Sequence, residues 1–409
     1  MSRIEREGRA GEAAFDDAEL DYLRALATRY GDVDAAVARI AEIRGELTLP
    51  KGSVHVFSDV HGESKKLRHV INNASGRLRP LVEALFGDRL APEAIRELLS
   101  LVYYPQETLA RVEIRLADAA ARRAFVRTTV DRQLEIFRAL GREHTLRGLW
   151  RVVPEAWREL VWELLLADAF GRPAAFVDAV HDALLAADKS FDLVRWLSRA
   201  IRNVSVDELV VAGDLGDRGP RLDKVVDYLM RQPSVAVTWG NHDVSWMGAA
   251  LGHEALIATV VRISLRYGRI AQLEQGYGIP LAPLEELARR VYGEDPAERF
   301  APKAAHLEDP RLVARMQKAI AVVQMKLEAE VAARNPSFQV DDRQLLRAID
   351  PDAGTVRIEG RTHALLDRRL PTLDPAAPDA LTPVTITRLP ERKPGCIRQS
   401  LQPVRLFAR

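Results

Sequence analysis

Cysteine is almost absent from this sequence. Cys396 stands alone among 409 residues, so neither an intramolecular disulfide nor a thiolate zinc site can be built from it. That usage fits a reducing compartment, and the odd, proline-punctuated surroundings of Cys396 argue against a catalytic thiol. Long apolar runs are missing too: the stretch 160–169 is interrupted by Glu163 and Asp168 and is far too short to span a bilayer. Met1 to Leu20 mixes Arg and Glu and lacks the apolar core of a secretion signal. Nor is there an excess of charge. With 59 basic and 58 acidic residues the net charge is +1, so no whole-molecule field favours nucleic acid or an anionic membrane. No internal repeat or low-complexity linker breaks the chain. The expectation is a soluble, cytoplasmic globular protein with no nucleic-acid or membrane partner, whose phosphate specificity, if any, is local. These features specify no oligomeric state.

What is present is core material and a change of period. Hydrophobic residues make up 47% of the chain, ample for one large domain or several small ones. Between Asp17 and Leu47 the apolar positions recur at helical spacing on both sides of Gly31, predicting two helices. Then Ser53–Ser58 (SVHVFS) turns short and β-branched and ends on Asp59. The same grammar returns at Glu208–Ala212 before Gly213 and at Val235–Trp239 before Gly240. A helical pattern over Pro220–Arg231 joins the second and third strands, as a parallel β-α-β crossover requires. About 140 residues, 64–203, separate the first and second strands. They read as helices, including Pro92–Val102, Glu107–Leu140, Pro154–Phe170, Pro173–Ala187 and Phe191–Ile201, and so as a helical insertion. After the third strand, helices are predicted over Met247–Arg269, Leu284–Val291 and Pro310–Arg334.

Each strand delivers its carboxyl end to a polar cluster, where ligands of parallel sheets bind. The clusters are Ser58-Asp59-Val60-His61-Gly62, Gly213-Asp214-Leu215-Gly216-Asp217-Arg218-Gly219 and Gly240-Asn241-His242-Asp243. Carboxylate, imidazole and amide donors are the types that hold paired Mn, Fe or Zn ions. Two such ions can acidify a water and neutralise a phosphate under attack. Taken singly, each cluster has a plainer reading. Asp59 could cap a helix, Asp217-Arg218 could be a surface pair, and Asp243 could be an N-capping residue. All three at successive strand ends favour the two-metal hypothesis.

In this order DxH, GDxxDRG and GNHD are similar to the motifs of calcineurin-like metallophosphoesterases. The resemblance implies an α/β fold with that family's sheet core, a large helical insertion, and further helices after the third motif. By position it implies that Asp59 and His61 hold the first metal, Asp214 bridges, and Asn241 binds the second. His242 would be the general acid, Asp217 would orient it, and Arg218 would clamp phosphate. Protein phosphatases and dinucleoside-tetraphosphate hydrolases share these motifs, but they place the second a few dozen residues after the first. Here Asp59 and Asp214 lie 155 positions apart, and Asp214 and Asn241 only 27. That spacing resembles the class III fructose-1,6-bisphosphatases, as do VHVFSDVHGE, LVYYPQETL, VAGDLGDRGPRLDKVVDYL, TWGNHDVSWMGAALG, MQKAIAVVQMKLEAE and LLDRRLPTLDPAAPDALTP. Together they cover about residues 15–383. The resemblance implies hydrolysis of the 1-phosphate of fructose 1,6-bisphosphate with binuclear manganese, in gluconeogenesis. A phosphoprotein or dinucleoside polyphosphate phosphoesterase is the alternative enzyme, and a non-catalytic fragment the alternative of another class.

The layout expected is therefore N-terminal helices in 1–50, a metallophosphoesterase core in 51–63 and 204–246, the insertion in 64–203, and a helical and substrate-side region in 247–383. From Val384 to Arg409 there are six basic residues, one acidic residue and three prolines, with no clear period. This tail is expected to be disordered and foreign to the family, the chain stopping before the family's last metal-binding histidines, with reduced activity. His253, His306 and His363 follow the third motif but lack strand-end or glycine-flanked settings, so none is expected to replace them. His55, His69, His144 and His181 read as packing or surface residues, and the Arg and Glu runs of the insertion as solvated faces.

Overall fold

Two aspartates open the first two helices. Asp16 accepts the backbone N–H of Glu19 and Asp32 that of Ala35, capping α1 (Asp17–Ala27) and α2 (Val33–Glu46). In this computed structural model residues 16–116 and 118–381 are described. Cys396 and the predicted tail 384–409 lie outside them, as does the N-terminal stretch 1–15.

Then comes β1 (Val54–Phe57), followed by the helices α3 (Ser64–Asn72), α4 (Leu78–Phe86), α5 (Pro92–Tyr103), α6 (Pro105–Arg115), α7 (Ala119–Gly141), α8 (Leu146–Val152), α9 (Arg158–Leu166), α10 (Ala174–Ala186) and α11 (Ser190–Ser205). The single helix expected over Glu107–Leu140 is in fact two. Asp118 takes an extended conformation and its carboxylate accepts the N–H of Ala121, starting α7 afresh.

The chain returns to the sheet as β2 (Glu208–Ala212), crosses through α12 (Leu222–Leu229) and adds β3 (Val235–Thr238). The order is β1-β2-β3, all parallel, with Val54 opposite Glu208 and Val210 opposite Ala236. This alternation places Phe57, Leu209, Val211 and Val237 on one face, packed against the helices; Leu209 and Val211 are buried. On the other face Val54 and Val56 are 56% and 60% exposed. The fold is mixed α/β, mainly helical, with a small parallel sheet, and the principal core runs from that sheet through α4, α5, α7 and α11.

Beyond β3 lie α13 (Asn241–Ala250), α14 (Glu254–Arg266), α15 (Ala282–Val291) and α16 (Pro310–Arg334). The helix expected over Met247–Arg269 starts earlier and breaks at Gly252. That residue adopts φ +89°, and the His253 N–H turns back to the Gly248 carbonyl at 2.9 Å. α14 and α16 build a second core, and Trp246 of α13 packs against both. A small antiparallel sheet follows: β4 (Ile349–Asp350), β5 (Thr355–Ile358) and β6 (Arg361–Ala364). No strand was expected in this region.

Two buried lysines of α16 hold the following segment in place. Lys318 Nζ donates to Asp295 Oδ2 at 2.6 Å and Asp367 Oδ2 at 2.7 Å. Lys326 Nζ donates to the carbonyls of Thr372 at 2.6 Å and Ala380 at 2.7 Å. Burial pushes the Lys326 ammonium below its ordinary range.

A buried imidazole gives the helical layer an acid sensitivity. His181 of α10 is 1% exposed, and neither ring nitrogen has a hydrogen-bond partner among the described residues. Burial lowers its pKa below the ordinary 6.5, against the opposing pull of Asp131. The unfolded chain therefore takes up this proton before the native one does. Its contribution is intact above pH 6.5 and is lost as pH falls below that value, by at most about 1.4 kcal/mol per unit. Urea midpoints compared between about pH 7.5 and about pH 5.5 should fall less in His181→Leu than in the parent chain. Equal falls would remove His181 from the account.

Candidate functional site

The loops that leave the sheet remain paired beyond the strands. Asp59 N–H reaches the Gly213 carbonyl at 3.3 Å, His61 N–H the Asp214 carbonyl at 2.9 Å, and Gly62 N–H the Leu215 carbonyl at 2.7 Å. The first and second motifs are thus joined side by side. Their backbone is strained: Asp59, His61 and Asp214 have φ of +54°, +46° and +55°. Left-handed backbone costs an L residue roughly 1–2 kcal/mol, and such strain gathers at working sites.

Two glycines permit the close approach. A Cβ on Gly219 would stand 1.5 Å from the His61 carbonyl oxygen, and one on Gly240 would stand 2.2 Å from Asp214 Oδ1. The third motif is tied in by Asp243, the third residue of α13, which is 2% exposed. Its Oδ2 accepts the N–H of Asp214 at 2.6 Å and of Gly240 at 2.9 Å, and its Oδ1 that of Leu215 at 2.9 Å. Burial pushes this carboxyl up, and the three backbone donors pull it back. The sequence reading gave Asp243 no more than a cap. Its spacing three residues after Gly240, where a capping-box acid sits, was the available signal.

Asp217 is the electrostatic centre of the group. Its side chain is 5% exposed. Arg218 Nε donates to its Oδ2 at 2.8 Å, while His242 Nε2 stands 3.6 Å and His61 Nδ1 3.9 Å away. The imidazole distances exceed those of direct hydrogen bonds, so these contacts are electrostatic. His61 Nε2 also faces Asp59 Oδ1 at 3.4 Å, and Ser58 Oγ donates to Asp59 Oδ2 at 2.7 Å. Asn241 is exposed at the first turn of α13. A cavity of about 400 Å³ opens beside Asp59, His61, Lys66 and Arg218.

The structure thus brings Asp59, His61, Asp217, Arg218 and His242 into one network of contacts. Asp214 and Asn241 join it through the backbone that Asp243 gathers. Among the described residues no three His, Cys, Asp or Glu side chains form a metal-binding group. His253 and His306 are exposed in loops, and His363 is exposed within β6. The donor chemistry nonetheless suits a divalent cation. Asp214 Oδ1 and His61 Nδ1 are buried without a hydrogen-bond partner among the described residues, and a buried carboxylate oxygen left without a donor is costly unless a cation offsets it.

Comparison with known proteins places this geometry among relatives. The family model described as Firmicute fructose-1,6-bisphosphatase matches residues 21–388. The chain is 33% identical to the class 3 fructose-1,6-bisphosphatase of Porphyromonas gingivalis over 93% of its own length and 59% of the relative's. To the proteins of the same name from Parabacteroides distasonis and Clostridium tetani it is 35% and 36% identical, over 89% of its length and 55% of theirs. It therefore spans somewhat more than half of these relatives. No solved structure matches it.

Replacing the buried staple tests how the site is held. Asp243→Asn keeps one acceptor but turns an amide N–H toward backbone donors. It should lose about 1.5–3 kcal/mol of stability, the range for a hydrogen bond to a charged group. Urea unfolding measures this; a loss below about 0.5 kcal/mol would mean that the loops hold themselves.

Proposed function

We propose that this chain, which belongs to the Firmicute fructose-1,6-bisphosphatase family, is a metal-dependent phosphomonoesterase that removes the 1-phosphate of fructose 1,6-bisphosphate. The observation that carries this reading is the convergence of Asp59, His61, Asp217, Arg218 and His242 at the carboxyl ends of one parallel sheet. Strand-end loops bearing these motifs in this order also support a calcineurin-like sheet core. Such a reaction belongs to carbohydrate metabolism, in the direction of gluconeogenesis. We place it in the cytoplasm, in keeping with a lone cysteine.

In this mechanism Asp59, His61 and Asp214 would hold one divalent cation, by resemblance manganese, and Asp214 and Asn241 would hold a second. When bound, the pair supplies a nucleophile drawn from water and positive charge for the phosphate oxygens. The protein's own groups do the rest. Arg218, exposed at the cavity and anchored on Asp217, presents its remaining guanidinium donors to the phosphate. Protonated His242 gives its proton to the departing sugar oxygen. Asp217, whose Oδ2 stands 3.6 Å from His242 Nε2, orients the His242 ring.

Phosphate release with manganese should favour fructose 1,6-bisphosphate over a phosphopeptide and a dinucleoside polyphosphate. His242→Ala should lower turnover by about 10²–10⁴, the range for acid–base catalysis, with metal content unchanged. Preference for another substrate would reassign the enzyme, and metal loss in the variant would make His242 a ligand.

Ligand count sets a further expectation. Among the described residues the second cation would have a neutral amide and a shared carboxylate, and affinity rises with the number and charge of the ligands. Metal analysis of the dialysed chain should therefore find about one tightly held ion, with low bisphosphatase activity. Two stoichiometric ions with ordinary turnover would show that a further side chain completes the site.

A further inference from the structure

A second cavity, of about 700 Å³, lies beside α3, α11 and α12 and reaches Leu209 and Ser234 at the amino ends of β2 and β3. It shares no lining residue with the cavity at the motif loops. Seven of its lining side chains are Lys or Arg, and one, Asp192, is acidic. Arg195, Arg199 and Arg202 stand four and three positions apart on α11 and so share a face, where like charges repel. This row was expected to be a solvated face; instead it lines a cavity.

The imbalance is not relieved by neighbouring carboxylates. Asp192 is divided between Lys189 at 3.1 Å and Arg195 at 3.0 Å. Arg68 reaches Glu107 only at 3.5 Å, and Lys224 reaches Asp227 at 3.9 Å. Arg199 donates to the Arg231 carbonyl at 3.2 Å, and Arg202 to those of Val102 at 2.6 Å and Tyr103 at 2.8 Å. Among the described residues neither Lys65 nor Arg231 makes an ion pair through its side chain. Four cations therefore face the cavity without a carboxylate of their own. Burial pushes the Arg202 guanidinium down to about 10, with Arg199 and Arg68 adding repulsion. A half-buried guanidinium that has carbonyl partners but no carboxylate is costly in the free protein, and an anionic ligand lowers that cost.

We propose that this cavity binds a small molecule carrying two phosphates, as a bisphosphate or as a diphosphate group, at a site separate from the hydrolytic one. Two phosphates bring roughly four negative charges, which matches Lys65, Arg199, Arg202 and Arg231. Arginine forks suit phosphate oxygens in pairs. The half-buried Trp196 ring supplies an apolar wall for the body of such a ligand.

Isothermal titration of the full chain in EDTA, with inorganic pyrophosphate as the probe, tests the proposal free of metal at the motif loops. One binding event per chain is expected, with orthophosphate at least about tenfold weaker for want of the second phosphate. Arg199→Gln combined with Arg231→Gln should weaken pyrophosphate about 10- to 100-fold per charged bond lost. Asp214→Asn should bind it as the parent does. Lys65→Gln, an exposed change that spares the core, should cost about tenfold by itself and keeps the test open if the double variant fails to fold. Absence of binding to the parent chain, unchanged affinity in Lys65→Gln, or equal affinity for orthophosphate would overturn the proposal.

Discussion

The carboxylate of Asp243 is the point on which the arrangement of the motifs turns. Three backbone N–H groups, from Gly240, Asp214 and Leu215, converge on it in a buried position. A carboxylate there is costly to desolvate, and the cost is offset by three charge-assisted bonds from main-chain donors. The bonds cross from the end of β2 to the start of α13, so they fix the second motif against the third. The ladder from Asp59, His61 and Gly62 fixes the first motif against the second. A sheet of only three short strands thereby holds three positive-φ residues, Asp59, His61 and Asp214, that would otherwise relax.

Much of this was legible in the sequence, because each strand couples a β-branched run to a polar cluster. The motif residues could be assigned to strand ends without coordinates, and β1, β2 and β3 fall where the period changes. What escaped reading has identifiable causes. The break between α6 and α7 depends on one capping aspartate, Asp118, inside a pattern that stays helical on either side. The break at Gly252 lies in LGHE, where a single glycine was the whole signal. The hairpin of β5 and β6 turns on Glu359-Gly360, both at positive φ, as a two-residue loop requires. Its strands carry largely exposed residues, so no apolar alternation announced them.

The buried lysines illustrate a different blind spot. Lys318 and Lys326 occupy a helix whose sequence reads as ordinarily amphipathic, and charge there would be assigned to solvent. In the structure Lys318 bridges two carboxylates and Lys326 two carbonyls, drawing the segment from Asp367 to Ala380 onto α16. Neither partner set is local in sequence, so neither could be inferred from spacing. The same limitation hid the cationic cavity, whose walls come from α3, α11 and α12. Charge clusters of this kind become visible only when the fold assembles them.

The pairing of β1 with β2 has a consequence for biosynthesis. Val54 pairs with Glu208, 154 positions later, and among the described residues β2 is the only strand beside β1. At about 5–20 residues per second, β1 waits roughly 8–30 s on the ribosome before its partner emerges. During that interval a β-branched strand with an open edge is a target for chaperones or for other nascent chains. The intervening helices shorten the difficulty in another way. Their apolar faces pack on one another and share one core with Phe57, Leu209 and Val211, and helices packed in this way bring the two ends of the insertion together. Closure of the sheet then costs far less chain entropy than a flexible loop of that length would demand.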